Sequence, residues 1–248
     1  MNTLFIGQNL VQLDKVESTN KFASDLIAGV FVPEGTVITA KDQTLGRGQR
    51  GTSWHSEPEK NLVLSLILKP AFLSVTKQFQ LNKVLSLAVR DLISHYALNN
   101  VTIKWPNDIY INDSKVCGIL IQNQIKNAQI SYCIAGIGIN INQETFPNDI
   151  GKPTSLKLHT GKEYNLDICL EKLCKFIEVR YLQLRSNQDM DQEYLKSLYK
   201  INLLVDYQIN EELVKGKITG ISPEGKLIVE HVGNVVKQYD LKEIKFYP

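Results

Sequence analysis

No stretch of the 248 residues approaches the roughly 18 uninterrupted apolar positions that a membrane-spanning helix needs. The opening MNTLFIGQNLVQLDK lacks a basic leading region and a long apolar run, so no secretory signal is expected. Cysteine is sparse. Cys117, Cys133, Cys169 and Cys174 form no C-x-x-C pair, which fits reduced thiols in a cytoplasmic protein. The four histidines (His55, His95, His159, His231) are scattered, so a protein-held zinc is not expected. An excess of one charge is missing too. The net charge is +2, which provides no broad electrostatic attraction for nucleic acid. Internal repeats and low-complexity tracts are absent. What remains is an ordinary globular composition, 43% hydrophobic. The length suits one large domain, or one of about 200 residues with a small companion.

Local patterns predict where the elements lie. Residues 4–13 read as a short strand-like segment, and Ser18-Thr19-Asn20 precede an amphipathic run suited to a helix over 20–28. Residues 35–42 are β-branched and strand-like, and 43–60 form a long polar loop. The apolar run 61–69 suits a strand buried on both faces. Apolar residues recur with helical period over 76–97. Residues 101–112, 115–124 and 129–141, separated by turn residues, predict an antiparallel meander. A polar loop over 142–165 leads to a helix capped by Asn165, then to a short helix near 190–199. The tail from 200 to 248 has short β runs broken by Pro223-Glu224-Gly225 and Val232-Gly233-Asn234, the pattern of a small barrel. It holds seven Lys and seven Asp or Glu. The expected organisation is therefore a larger domain over 1–199 and a small β-barrel over 200–248.

Residues 46–51 read GRGQRG, matching the G-x-G-x-x-G fingerprint of a dinucleotide-binding turn. That motif requires a helix opening on the glycines, and here TSWHSEPEK and another strand follow instead. Kinase and Walker signatures are also missing. The local physics stands without them. Gly46, Gly48 and Gly51 permit backbone N–H groups to turn inward as an anion-binding nest. Arg47 and Arg50 add guanidinium forks suited to phosphate or carboxylate, and Trp54 adds a flat aromatic face. A second cluster, Lys104-Trp105-Pro106-Asn107-Asp108, sets polar side chains at the start of an apolar strand. A hairpin would bring Asn107, Asp108 and Lys115 to one end of a sheet. Gly138-Ile139-Asn140 interrupts a third apolar strand.

Together E-S-T-N (17–20), Gln43, G-R-G-Q-R-G-T-S-W (46–54), K-W-P-N-D (104–108), K-V-C-G-I-L (115–120) and G-I-G-I-N (136–140) resemble the biotin protein ligases, in order and spacing, over nearly the whole chain. The resemblance implies an α+β fold: a mixed, largely antiparallel sheet with helices packed on it, like class II aminoacyl-tRNA synthetases, plus an SH3-like C-terminal barrel. It also implies a two-step reaction. Biotin's carboxylate attacks the α-phosphate of ATP, giving biotinyl-5′-AMP and pyrophosphate; a lysine of a biotin carboxyl carrier protein then takes the acyl group and releases AMP. Lys115, Arg47 and Asp108 are the implied catalytic residues. Ser18, Thr19, Asn20, Gln43, Arg47, Gly48, Gln49, Lys115 and Gly118 would surround biotin. Gly46, Arg47, Gly48, Arg50, Gly51, Trp54, Asn107, Lys115 and Asn140 would surround the adenylate. Mg²⁺ would arrive with ATP, near Asn107, with no dedicated protein site.

Two departures stand out. Gln49 and Thr52 occupy positions where many members carry Arg, or at the second position Arg or Asn. The Ser-Thr-Asn motif begins at residue 18, so the DNA-binding winged helix of some members is not expected. A monofunctional enzyme is expected, monomeric or homodimeric, with no nucleic-acid or membrane partner. The R-R-x-S-G-G-G-type loop of lipoate ligases is absent, and a non-catalytic adaptor would have lost Arg47, Lys115 or Asp108.

Overall fold

The computed structural model describes residues 1–97, 100–148, 151–241 and 243–247, with the side chain of Arg50 outside the described set. Strand β1 (Leu10–Val16) leads into helix α1 (Thr19–Gly29) and strand β2 (Thr36–Gln43), which lies parallel to β1. Strands β3 (Leu62–Leu68), β4 (Val101–Lys104), β5 (Asp108–Ile111), β6 (Ser114–Lys126) and β7 (Gln129–Ile139) complete a seven-stranded mixed sheet. Its order is β1-β2-β3-β7-β6-β5-β4.

The sheet is covered on both faces. On β3 the side chains of Leu62, Leu64, Leu66 and Leu68 join the main core beneath helices α2 (Phe79–Tyr96) and α4 (Leu166–Arg185). Ile67 turns the other way and packs with Ile38, Ile134 and Ala23 of α1. All seven residues of β3 are buried, which is why its sequence shows no alternation. Helices α3 (Leu156–Thr160) and α5 (Asp191–Lys196) are short. Ser155 caps α3 by accepting from Leu158 N–H at 3.1 Å.

A second, five-stranded sheet follows, antiparallel throughout: β8 (Val205–Ile209), β9 (Glu212–Ile221), β10 (Leu227–His231), β11 (Val235–Tyr239) and β12 (Lys245–Phe246), in the order β11-β10-β9-β8-β12. It contributes Tyr207, Ile218, Leu227 and Val229 to the buried core. The first sheet reaches it through Trp105, whose indole N–H donates to the Gly225 carbonyl at 2.9 Å.

Three expectations are revised. Residues 101–112 form two short strands, not one: Trp105-Pro106-Asn107 make the turn between β4 and β5, and Lys104 pairs with Asp108 across it. The segment 142–165 contains α3 as well as loop. At the N-terminus, strand pairing begins only at Leu10; Leu4, Phe5 and Ile6 instead give their N–H groups to the buried carboxylate of Glu178, at 2.7, 2.8 and 3.1 Å. The four cysteines are buried and unpaired. No described helix is long and apolar enough to cross a membrane.

Candidate active site

Glycine creates the floor of the site. On β6 and β7, Gly118 and Gly138 stand directly opposite each other, and Gly136 faces Ser65 of β3. Glycine inside a strand removes a side chain that would otherwise stand up from the sheet. The result is a hollow of ≈ 270 Å³ on the α1 side of the sheet. The indole of Trp54 lies across the Gly118–Gly138 pair. A methyl group on Gly138 would meet its Nε1 at 2.6 Å, and one on Gly118 would meet its Cζ3 at 3.0 Å.

At one end of the hollow, the turn from β1 into α1 brings up Ser18, Thr19 and Asn20, all at most 5% exposed. Ser18 caps the helix, accepting from Lys21 N–H. Gln43 Oε1 accepts from Thr19 N–H at 2.9 Å and lies 3.2 Å from Thr19 Oγ1. A backbone N–H can only donate, so it fixes the Gln43 carbonyl inward and leaves the amide NH₂ as the group offered to a ligand. Behind them sits Ser65, fully buried, with Oγ 2.8 Å from Thr19 Oγ1 and 2.6 Å from Asn20 Oδ1. The pattern suits a neutral, hydrogen-bonding ring.

The other end is charged. Lys115 Nζ contacts Asp108 Oδ2 at 2.7 Å, both side chains being about one-third exposed, and lies 5.8 Å from the Trp54 ring centroid. The roof is the glycine loop, folded as a small hairpin. Trp54 N–H donates to the Gly46 carbonyl at 2.9 Å, Arg47 bridges to Ser53, and Gly48 N–H donates to the Thr52 carbonyl at 2.7 Å. Gln49–Gly51 make one 3-10 turn, ended by Gly51 at φ +83°. Arg47 and Lys115 against Asp108 leave one net positive charge among the described lining residues.

The cavity lining thus includes Ser18, Thr19, Asn20, Gln43, Arg47, Gly48, Gln49, Trp54, Asp108, Lys115 and Gly118. Four expected residues do not line it. Gly46 lies against the Trp54 carbonyl, and Gly51 shapes the turn without lining the hollow. Asn107 is 2% exposed and gives its Nδ2 to the Ile119 carbonyl. Asn140 donates to the Thr154 carbonyl at 3.0 Å, and its buried Oδ1 has no partner among the described residues. The Arg50 side chain is outside the described set. Ser65 and Gly136 were not anticipated. Their signal was a small polar residue and a glycine inside otherwise apolar strands.

Burial lowers the pKa of Lys104, next to the site, against an opposing contribution from Asp108. Burial also pushes the Cys117 thiol well above its ordinary value, with the Asp108 charge adding to the effect. Among the described residues no group of three or more His, Cys, Asp or Glu could hold a metal ion. Asn107, enclosed and already bonded, does not fit a cation site.

A family model described as the biotin/lipoate A/B protein ligase family matches residues 13–140. The bifunctional ligase/repressor BirA of Bacillus subtilis is 32% identical over 96% of this chain and 74% of its own. The biotin–[acetyl-CoA-carboxylase] ligase of Mycobacterium tuberculosis is 25% identical over 93% of this chain and 87% of its own. A biotin protein ligase from Aquifex aeolicus, solved with biotin and ATP, superposes with a TM-score of 0.80 at 27% identity, covering 97% of this chain and 99% of that one.

Proposed function

The chain belongs to the biotin/lipoate A/B protein ligase family, and from that premise we propose that its glycine-floored hollow is where biotin meets ATP before transfer to a carrier lysine. The fold is that of the biotin ligases, with an SH3-like second sheet. The activity is the ATP-dependent ligation of biotin to a carrier protein. One observation supports the site assignment above the others: a buried, uncharged hydrogen-bonding end and a cationic end share one hollow, with an indole between them.

Each residue then has a task. Gln43 donates to the ureido carbonyl, and Thr19, Asn20 and Ser18 pair with the rest of the ring's polar edge. The acyl chain runs toward Lys115 beside the indole that covers Gly118 and Gly138. Biotin carboxylate and ATP phosphate repel each other as like charges. Lys115 and Arg47 reduce that repulsion and stabilise the charge that develops as the carboxylate oxygen bonds phosphorus and pyrophosphate leaves. Trp54 supplies a face for adenine, and the hairpin excludes water from the mixed anhydride. In the second step the carrier amine bonds the acyl carbon and AMP departs. Asp108 orients that amine and takes its proton, becoming available as Lys115 turns from it to the phosphate. Asn107 acts indirectly, by fixing the turn that presents Asp108. Charge on the nucleotide phosphates would be neutralised further by the Mg²⁺ that accompanies ATP, held by the phosphates and not by Asn107. The chain works as a monomer or homodimer, and its near-neutral charge suits no nucleic-acid partner.

The deciding experiment is ATP–pyrophosphate exchange. Exchange should depend on biotin, and adding a biotin carrier domain should move the label to one lysine. No exchange with biotin would reject the assignment. Ser65 gives a finer test. Asn20 Oδ1 can only accept, so the single Ser65 hydroxyl proton goes to it and the Thr19 hydroxyl donates to Ser65 Oγ. Ser65→Ala leaves one of these buried groups without a partner, and the Kd for biotin is expected to rise about 5- to 150-fold, equivalent to about 1–3 kcal/mol. The KM for ATP should hardly move; an equal rise in both would remove Ser65 from ring recognition.

A further inference from the structure

The two limbs of the glycine hairpin are anchored by different parts of the molecule. The incoming limb is held to the β1–α1 turn: Thr44 N–H donates to Val16 O at 3.0 Å and Leu45 N–H to Glu17 O at 2.8 Å. The outgoing limb, just past Trp54, is fixed by two buried amides. Gln143 is fully buried and does not line the hollow. Its Oε1 accepts from Glu57 N–H at 3.0 Å and from Asn61 Nδ2 at 2.5 Å, and its Nε2 donates to the Thr145 carbonyl at 2.7 Å. Asn61, 5% exposed, also donates to Ser56 Oγ at 3.0 Å and accepts from Ile141 N–H at 3.0 Å. Ser56 and Glu57 are thereby locked to the chain that continues β7, the strand carrying Gly138 under the indole.

Both ends of the Gln143 amide are in use, and each requires its own atom type. A carboxylate would set an oxygen against the Thr145 carbonyl. An apolar side chain would strand two buried donors. This is more specificity than holding a loop requires, and it bears on the limb that aims Trp54. Ser18, Thr19 and Gln43 depend on the other limb.

We propose that Gln143 is a positioning residue for the roof of the site: it sets where Trp54 lies over Gly118 and Gly138, and so governs how long the acyl-adenylate stays enclosed. The inference rests on the biotin-ligase reading. Its signature is asymmetry. The nucleotide side and the retention of the intermediate should suffer, while the biotin-ring side stays intact.

The test uses Gln143→Met, which removes all three hydrogen bonds, and Gln143→Glu, which keeps the acceptors and removes the donor. Wild type and variants are given biotin and ATP, and biotinyl-AMP free in solution is measured against total adenylate formed. The free fraction should rise about tenfold in Gln143→Met and less in Gln143→Glu, as expected for losing one to three buried hydrogen bonds. The KM for ATP should rise while that for biotin stays within about twofold, separating positioning from general destabilisation. Thermal midpoints are recorded alongside. Unchanged partition in a folded variant, or equal loss of both KM values, overturns the proposal. Should Gln143→Met fail to fold, Gln143→Glu and Thr145→Val carry the measurement. Thr145→Val removes the 2.5 Å bond from Thr145 Oγ1 to the Glu57 carboxylate at the exposed rim, and should shift the partition in the same direction. A ligand-free readout keeps the two ideas apart. In a Trp105→Phe background, Trp54 emission should shift to the red and quench more readily in the Gln143 variants. Wild type that makes no biotinyl-AMP would reject the ligase reading, whereas unaltered Trp54 emission would reject the role of Gln143.

Discussion

Lys115→Met is expected to slow adenylate formation by roughly 10²- to 10³-fold, the scale seen when one group stabilising developing charge is removed. The loss has two parts. In the proposed site the ammonium would no longer face the phosphate, and Asp108, without its partner at 2.7 Å, would add a negative charge where negative charge already accumulates. The second part predicts a partial rescue. Lys115→Met combined with Asp108→Asn should form adenylate faster than Lys115→Met alone, although its transfer to carrier should be poor. Such non-additivity is the mark of groups in direct contact. Binding of a neutral analogue, with biotin's carboxylate reduced to an alcohol, should change far less than the adenylation rate. Rapid-quench measurement of biotinyl-AMP decides the matter. Near-normal adenylation in Lys115→Met would exclude Lys115 from the chemistry, and absence of rescue would show that its pairing with Asp108 has no part in the first step.

Lipoate is expected to be rejected against biotin by roughly 10⁴-fold or more in kcat/KM, while desthiobiotin remains a substrate. The ring end of the hollow consists of buried donors and acceptors: Thr19, Asn20 and Ser65 are at most 5% exposed. In the proposed site biotin's ureido group would meet the Gln43 amide NH₂ and the remaining hydrogen-bonding capacity of Thr19 and Asn20. Lipoate has no such group, and its dithiolane would enclose the Gln43 NH₂ and the ligand-facing edges of its neighbours without partners, at about 1–3 kcal/mol for each group so left. Desthiobiotin lacks the sulfur ring but keeps the ureido edge. Competing the three acids for one carrier domain and weighing the product by mass spectrometry measures the ratio. Comparable lipoyl and biotinyl products would mean that the buried polar groups pair with something other than a ureido.

Much of this site was legible because glycine and polar residues are costly inside strands. Asn107-Asp108, Lys115 and Gly138 broke apolar patterns, and the structure brings Asp108, Lys115 and Gly138 around one hollow. The seven-residue run of β3 also read correctly, since burial on both faces leaves no alternation to find. Other features escaped for identifiable reasons. Trp105-Pro106-Asn107 turn the chain inside what looked like one strand, because the apolar residues on either side belong to two strands that pair with each other. Ser65 looked like noise in an apolar run; its meaning depends on Thr19 and Asn20, which are distant in sequence. The short helix α3 was hidden by polar neighbours and is fixed largely by its cap at Ser155. Residues 4–6 have strand-like composition, yet a carboxylate from α4 takes their N–H groups. The amides of Gln143 and Asn61 leave no local trace, because each acts on chain segments that meet only after folding.

The burial of all four cysteines makes the surface chemically silent toward thiol reagents. Only a thiolate reacts, and burial raises the Cys133 and Cys174 pKa values to about 12, pushes Cys117 well above its usual value, and raises Cys169. Native thiols therefore need not be removed before a probe is attached. A cysteine replacing Ser53, exposed on the hairpin at the rim of the hollow, would accept a maleimide dye against a background of unreactive sulfur. The molecule comes ready for single-site spectroscopy, with the attachment point on the hairpin that roofs the hollow.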